Sequence, residues 1–579
     1  MIVYLALGGR RIQAAIRYAT SMVAEGTAVT LVIAVREDGV LIPPGVTVQR
    51  FDPGKPRAIR RFLSRLDADL IIAGDPEATP ITWAIARRRP DLPIYFEPSP
   101  DPARRTADAD LAVLTPWYPA PDDPFAGAFV QASTAAVRPG FPRVAVLHTN
   151  SWFYSPRGLR GQVVGVAAER QAARSGNAVV LDTAEGELTR VAVPIASGDT
   201  YPQYAEAQVN ALRAALPTGR IEARLVHAHT GMMGGVVAVR LARPGARVVV
   251  TEHATFLPRV FAQPGARRQY GEMLARVDAL LCVSRFLHDQ LRDYFPSHAA
   301  KLRIVPNAID FDRFAVRPAP PVAPLRWIYV GRLMEHKGVL TLIDGFARIA
   351  ASDPAVTLTL VGNGPLADAL AKRVAGLGLL DRITFRPPVP PEQVTALLHE
   401  HDLLVHASRL ETFGMTVIEA IATGTPVLVA RSQGPAETLA GLEDRVGGLF
   451  EPTQDPEVIA EAYRRLRARF GSLDLPGART VLLARYGREA VAAQLREVYS
   501  APTRVAHGPA PGGRSAAAPR GEPGPAWRPP AARRPLTRRL TAWWPGPGPE
   551  AVVRRLGRIR RRVVRRIHRL VDAAGPRSS

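Results

Sequence analysis

The chain has 579 residues, 47% of them hydrophobic, enough for three or four packed domains with large cores. Its single cysteine, Cys282, excludes an intramolecular disulfide, and no run approaches the roughly 18 apolar residues that span a bilayer. The net charge of +23 is segregated: from Thr503 onward 18 Arg face only Glu522, Glu550 and Asp572, a net +15 that leaves residues 1–502 at +8, so the high pI is no argument for a nucleic-acid-binding body.

Ile2-Val3-Tyr4-Leu5-Ala6-Leu7 opens the chain as a strand, without the basic segment and apolar core of a signal peptide. Alternating patterns predict strands at 2–7, 28–35, 69–73 and 94–97, with helices at 11–24, 56–66 and 80–88, a small parallel α/β unit over 1–105. A second α/β unit, 106–317, starts at Leu111-Ala112-Val113-Leu114 and continues through strands at 143–148, 178–182, 225–228, 247–251, 279–283 and 302–305. Cys282 lies inside one of these apolar runs and reads as a small buried hydrophobe. Pro318-Ala319-Pro320-Pro321-Val322-Ala323-Pro324 then fixes φ and removes donors, which suits a linker. The third unit, 318–500, has strands at 326–330, 357–361, 383–385, 403–406 and 427–430. Residues 501–549, rich in Pro, Gly, Ala and Arg, are expected to be disordered, and 550–579 carry a basic helical pattern.

The chemistry-bearing motifs sit at the carboxyl ends of predicted strands, where open α/β sheets bind ligands. Gly331-Arg332-Leu333-Met334-Glu335-His336-Lys337-Gly338 places two cations at a strand-to-helix turn, where a phosphate group is favoured. Only Lys55, Lys301, Lys337 and Lys372 depart from arginine among 75 basic residues, so a lysine at this glycine-flanked turn suggests a need for a compact ammonium, or else a solvated turn. Val361-Gly362-Asn363-Gly364-Pro365 offers glycines for close approach to a ligand, or an ordinary strand–helix turn. Glu411 and Glu419 bracket Thr412-Phe413-Gly414-Met415-Thr416. Eight helical residues would part the two carboxylates by about 12 Å, more than the roughly 5–9.5 Å that flanks one glycosidic bond. Two hydroxyl-binding roles fit better than an acid/base pair, the other reading being two surface or capping glutamates. Phosphates with many hydroxyls describe a nucleotide sugar.

In the second unit, Val226-His227-Ala228-His229 and Thr251-Glu252-His253 end apolar strands. His253 is the better site candidate, His227 reads as structural, and a metal held by the three histidines lacks a supporting carboxylate or cysteine set. Asp67–Asp69, Asp108–Asp110 and Asp310–Asp312 are Asp-x-Asp pairs that are not read as metal sites.

Tyr329-Val330-Gly331-Arg332-Leu333 with Lys337-Gly338, Val361-Gly362-Asn363-Gly364-Pro365, Ser408 with Glu411-Thr412-Phe413-Gly414 and Glu419-Ala420, and Gly424-Thr425-Pro426-Val427 together resemble the donor domain of family 4 glycosyltransferases with the GT-B fold. Thr115-Pro116-Trp117-Tyr118-Pro119, Asp123-Pro124-Phe125-Ala126-Gly127, Thr251-Glu252-His253, Val283-Ser284 and Val305-Pro306-Asn307-Ala308-Ile309-Asp310 are similar to its acceptor side, so the likeness covers about 110–500. It implies an α/β protein in which two Rossmann-like domains face a cleft, preceded here by a partial Rossmann-like domain and followed by a disordered, amphipathic basic tail.

The resemblance implies roles residue by residue. Arg332 and Lys337 would hold the donor diphosphate, with Gly331, Gly362, Asn363 and Gly364 in the donor-binding loops. Glu411 would lie beside the transferred sugar, backbone amides of Phe413, Gly414, Met415 and Thr416 near sugar and phosphate, and Glu419 at the ribose. His253 would sit at the reacting centre and Gly127 in a loop approaching the phosphates. His253, Glu411, Arg332 and Lys337 are thus the catalytic candidates. The family retains anomeric configuration and uses no metal or other cofactor. The expected partners are a nucleoside-diphosphate sugar and a hydroxyl acceptor, a lipid-linked or cell-envelope glycan being one candidate, and nucleic acid is not expected. The alternatives are an inactive sugar-nucleotide-binding scaffold or another GT-B enzyme, a phosphorylase or epimerase. Ala308 and Arg386-Pro387-Pro388 depart from the family, which has glycine at both places.

In the tail, Val552, Leu556, Ile559, Val563, Ile567 and Leu570 form an apolar stripe flanked by arginines, with Trp543-Trp544 upstream. This suggests attachment to anionic membrane at the cytoplasmic face, a solvated tail, a coiled-coil partner helix or contact with nucleic acid being the alternatives.

Overall fold

The computed structural model describes residues 1–501, apart from 9–11, 25, 35–41, 43, 76, 87, 90–91, 93, 96–108, 120–124, 173–177 and 390. The basic tail beyond Ala501, Asp108, Asp123 and Pro124 therefore lie outside the described residues.

Short runs of buried Val, Ile, Leu and Ala make three sheets, as expected of strands covered on both faces. The first, all parallel, has the spatial order Thr47–Phe51, Val29–Ala34, Ile2–Ala6, Leu70–Ala73, Ile94–Tyr95. The second runs Leu302–Ile304, Ala279–Cys282, Arg247–Glu252, Leu225–His229, Leu111–Thr115, Val144–Tyr154, Gly186–Ala196, Ala178–Thr183, and only the last pairing is antiparallel. The third, all parallel, runs Ile383–Arg386, Thr357–Val361, Arg326–Val330, Leu403–His406, Val427–Ala430, Gly447–Phe450. Two Rossmann-like sheets with a further parallel sheet before them are the architecture expected of GT-B with an N-terminal addition. The expected helices appear as Ile12–Ala24, Pro56–Leu63 and Thr79–Ala86.

Three strands were not expected from sequence, and each hides for a physical reason. Thr47–Phe51 is an edge strand with no fully buried residue, so its alternation is weak. Gly186–Ala196 contains Pro194, which argues against a paired strand, yet it pairs in register with Val144–Tyr154 from Ala145↔Glu187 to Tyr154↔Ala196. Gly447–Phe450 begins with two glycines, which argue against strand. There glycine is required: at φ 151° a Cβ on Gly447 would lie 1.9 Å from the Val427 carbonyl oxygen of the neighbouring strand.

Val144–Tyr154 and Gly186–Ala196 run past their neighbour, since Leu111–Thr115 stops opposite His148. The overhanging ribbon carries Trp152 and Ala192 into the core of the first sheet, beside Leu5, Ile71 and Ile81. The added unit therefore rests on the second sheet.

At the linker's end the Pro324 carbonyl accepts from Trp327 Nε1 at 2.9 Å and from the Tyr463 hydroxyl at 3.1 Å, joining it to the third core. A boundary at 500 does not describe the last helix. Arg488–Ser500 packs against Ala128–Val137, and its Val491, Ala492, Leu495 and Tyr499 belong to the core under the second sheet. An apolar stripe must be buried somewhere, and the second sheet offers the open face. Ala308 is fully buried in the same core.

Lys301 illustrates what a lysine does in this arginine-rich chain. Its Nζ donates to the carbonyls of Leu274, Ala275 and Val277, each at 2.8 Å, closing the end of helix Pro264–Arg276. Three convergent acceptors suit a rotating ammonium better than a planar fork. Cys282 is fully buried and its thiol is pushed up by burial, so it is a packed, inert group. Arg488 pairs with both Asp310 and Asp312, at 3.2 and 2.8 Å, which gives that Asp-x-Asp pair a structural task.

Candidate functional site

The third sheet's parallel strands deliver three loops to one edge. Gly331 follows Arg326–Val330, Gly362 follows Thr357–Val361, and Ala407 follows Leu403–His406. The first two loops are stitched by backbone bonds, Gly331 N to the Val361 carbonyl at 3.0 Å and Leu333 N to the Asn363 carbonyl at 2.8 Å. Cβ atoms on Gly362 and Gly364 would lie 1.9 and 2.4 Å from the carbonyl oxygens of Gly331 and Leu333. These glycines admit a neighbouring loop.

The third loop locks onto the lysine turn. Arg409 N donates to the His336 carbonyl at 2.8 Å, and the Ser408 hydroxyl donates to Leu410 O at 2.9 Å. Gly434 N in turn donates to the Glu411 carbonyl at 2.9 Å. The result is an ion pair, Lys337 Nζ to Glu411 Oε2 at 2.6 Å, with side-chain exposures of 20% and 15%. His406 Nε2 lies 3.6 Å from the same oxygen, and Glu411 Oε1 accepts from Thr412 N at 3.1 Å. Burial alone would raise the Glu411 carboxyl, but the Lys337 ammonium and His406 outweigh it and hold it well below the usual carboxylate range. His336, beside the pair, is held below its ordinary value by burial and by Lys337. Arg332 is exposed, and its carbonyl accepts from the Tyr329 hydroxyl at 2.8 Å. Asn363 is also exposed.

Gly414, at φ +92°, turns the chain into helix Met415–Ala422, with Met415 and Thr416 half-buried in its first turn and Phe413 buried against Tyr486. Glu419 lies on this helix, half-buried. Among the described residues no hydrogen-bond donor meets its carboxyl group. Burial pushes that carboxyl up to about 7, against the pull of Arg313.

The second sheet contributes histidines. Both ring nitrogens of His227 are taken by hydroxyls, Thr251 Oγ1 at Nε2 and Tyr499 Oη at Nδ1, each at 2.7 Å. Both ring nitrogens of His227 are thus engaged within the fold. His229 Nδ1 and His253 Nε2 are 2.9 Å apart, and Phe129 lies 4.3 Å from the His253 ring. Burial pushes His253 down to about 3. Glu252 holds this corner: Oε1 accepts from His253 N and Ala254 N, and Oε2 from Gly231 N and the Tyr270 hydroxyl, all within 2.8–3.0 Å. Between them Thr230 takes a left-handed φ of +65°, unusual for a β-branched residue, and opens a π-turn over Thr230–Gly235. Gly127, at φ +68°, starts helix Ala128–Val137; a Cβ there would lie 2.0 Å from the Trp117 carbonyl oxygen.

The two edges meet. Thr412 Oγ1 donates to the His253 carbonyl at 3.1 Å, and Arg285 N donates to Glu437 Oε2 at 2.7 Å. His253 and the Lys337–Glu411 pair are therefore joined through Glu411-Thr412. His406, His229 and the clamp by Glu252 were not picked out as site residues by sequence reasoning. His406 and His229 follow the rule that selected His253, a histidine at the carboxyl end of an apolar strand. The clamp needed the fold.

The chain is similar to known proteins over this region. A family described as Glycosyltransferase Family 4 matches residues 164–313, and one described as Glycosyl transferases group 1 matches 312–468. D-inositol 3-phosphate glycosyltransferase of Nocardia farcinica is 30% identical over 308 residues, 49% of this chain and 68% of that protein. Glycogen synthase of Mycobacterium tuberculosis is 30% identical over 250 residues, 40% of this chain, and the match spans only 56% of that protein, little more than half its length. Among solved structures, sucrose-phosphate synthase from Thermosynechococcus elongatus superposes with a TM-score of 0.53 at 20% identity, over 67% of this chain and 98% of that one, a likeness of fold.

Proposed function

This chain belongs to glycosyltransferase family 4, and from that membership we propose that it transfers a sugar from a nucleoside-diphosphate sugar to an acceptor hydroxyl with retention of configuration. The observation that carries the reading is the Lys337–Glu411 pair at 2.6 Å, a phosphate-binding cation and a hydroxyl acceptor side by side and linked through Thr412 to His253. A diphosphate entering there meets Lys337 and exposed Arg332, and the sugar lies against Glu411. Front-face displacement needs no enzyme nucleophile: the bond from the anomeric carbon to the diphosphate oxygen breaks, and the leaving phosphate takes the proton of the incoming hydroxyl. The protein's part is to orient these groups and stabilise the departing charge. A hydrolysis screen over UDP-, GDP- and ADP-sugars identifies the donor. NMR of the product is expected to show the donor's anomeric configuration, with full rate in the presence of chelator. An inverted product, or strict dependence on a divalent ion, would overturn the reading.

Glu419 is proposed to receive the ribose hydroxyls, which suits a half-buried carboxyl without a donor of its own. Hydroxyls bonding to the ionised form stabilise it, so binding draws down a pKa that is about 7 in the free protein. Nucleotide affinity is then expected to rise with pH up to about 7 and level off above it. For stability the sign is opposite: the folded pKa lies above the ordinary 4.5, so the Glu419 contribution falls as pH climbs from 4.5 to about 7. Calorimetric titration of nucleoside diphosphate across this range, subtracting the profile of Glu419→Gln, isolates the effect from the ligand's own titration. Identical profiles for the two proteins would remove Glu419 from the ribose.

The arginine-flanked stripe in the tail supports membrane attachment as a second part of the proposal. Full-length protein is expected to cosediment with anionic vesicles in a salt-sensitive way, while a chain ending at Ala501 stays in solution and keeps its donor chemistry. Equal vesicle binding by both would reject the tail as the anchor.

A further inference from the structure

His229 and His253 form a buried imidazole pair at the carboxyl edge of the second sheet, joined Nδ1 to Nε2 at 2.9 Å with the rings nearly parallel, 20° apart. Their outer nitrogens, His229 Nε2 and His253 Nδ1, are buried and meet no hydrogen-bond partner among the described residues. The Asn307 amide acts on the His253 ring but completes no bond to Nδ1. Such orphaned polar atoms are rare in folded proteins and call for an explanation. The spacing of the pair is held from outside the rings, because the Glu252 carboxylate fixes the His253 and Gly231 amides on either side of it.

Burial disfavours the charged form of both rings. Two neutral imidazoles sharing one hydrogen bond have two arrangements. In one, His253 Nε2–H donates to His229, which leaves an N–H on His229 Nε2 with nothing to bond. In the other, His229 Nδ1–H donates to His253 Nε2, and the unsatisfied N–H falls on His253 Nδ1. A buried N–H without an acceptor is more costly than a bare lone pair, so the arrangement that sets it beside a neighbouring acceptor group is favoured. His253 is that ring: the Asn307 side chain acts on it as an acceptor would, and among the described residues no such group acts on His229.

We propose that His229 is a positioning residue that holds His253 in the Nδ1–H tautomer, making it a hydrogen-bond donor for an oxygen of the bound sugar or acceptor. The role in turnover rests on the transferase reading; the tautomer does not. His229→Asn keeps an amide donor near the Nδ1 position, and His229→Leu fills the space without one. In native full-length protein labelled with ¹⁵N in its imidazoles, His253, assigned by loss of its signals in His253→Gln, is expected to carry its proton on Nδ1. His229→Asn should preserve this tautomer, and His229→Leu should shift it to Nε2–H. Turnover should fall about tenfold in His229→Leu, the worth of one hydrogen bond in the reacting complex, and recover in His229→Asn. Nucleoside-diphosphate affinity should not change in either, because the side chains assigned to it, Arg332, Lys337 and Glu419, belong to the unit of the third sheet.

An Nε2–H tautomer in the native protein would overturn the proposal, and this measurement stands even where His229→Leu does not fold. So would an unshifted tautomer in folded His229→Leu, or a shifted one with undiminished turnover. A failure to turn over any nucleotide sugar would instead count against the transferase reading, since the tautomer is read without a donor.

Discussion

Lys337→Ala is expected to produce the largest loss of nucleotide affinity of any single change at this site. The ammonium makes a 2.6 Å bond to Glu411 and has two further donors for phosphate oxygens. Losing a charge-assisted phosphate bond amounts to about 1.5–3 kcal/mol, roughly ten- to hundredfold in affinity. The loss is compounded, because Glu411 would stay behind as a half-buried carboxylate without its ammonium partner, repelling the diphosphate. Calorimetry with the bare nucleoside diphosphate measures the first effect and donor turnover the sum. A folded Lys337→Ala protein with native affinity and turnover would remove Lys337 from the phosphate site. Arg332→Ala should lose affinity without the second effect, since Arg332 is exposed and its guanidinium has no ion-pair partner among the described residues.

Glu411→Gln should behave in the opposite sense toward nucleotide. The substitution keeps the shape, removes the charge and frees Lys337, so affinity for bare nucleoside diphosphate should hold or rise. Turnover should fall by about ten- to hundredfold, since a carboxylate bond to the sugar is exchanged for a weaker amide bond. The contrast with Glu419→Ala, expected to weaken nucleotide binding, separates sugar from ribose. Equal losses of nucleotide affinity in the two variants would dissolve that division of labour.

What sequence could show and what it could not differ by the range of the interaction. Strands such as Val226–Ala228 and Leu403–Val405 are apolar runs ended by a histidine, and both elements and the direction of their carboxyl ends follow from local pattern. The turns that carry Arg332, Lys337 and Glu411 were likewise legible as short segments following strand ends. Gly447–Phe450 was not, since Gly447 is explained only by the Val427 carbonyl oxygen of the neighbouring strand, which a Cβ there would meet at 1.9 Å. Nor was the pairing of Lys337 with Glu411, 74 residues apart, or of His229 with His253. The carbonyls that Gly362 and Gly364 make room for likewise show only in the packed loops.

Helix Arg488–Ser500, which returns to the second sheet after the chain has built the third, constrains how such proteins can be recombined. Cutting at 317 to exchange the acceptor half would leave Val491, Leu495 and Tyr499 facing a foreign surface, and would strip His227 of the Tyr499 hydroxyl at its Nδ1. A chimera that carries a new acceptor specificity onto this donor half has to import two separated stretches of sequence at once, the strands and helices from Leu111 to Ile304 and the thirteen residues of the returning helix.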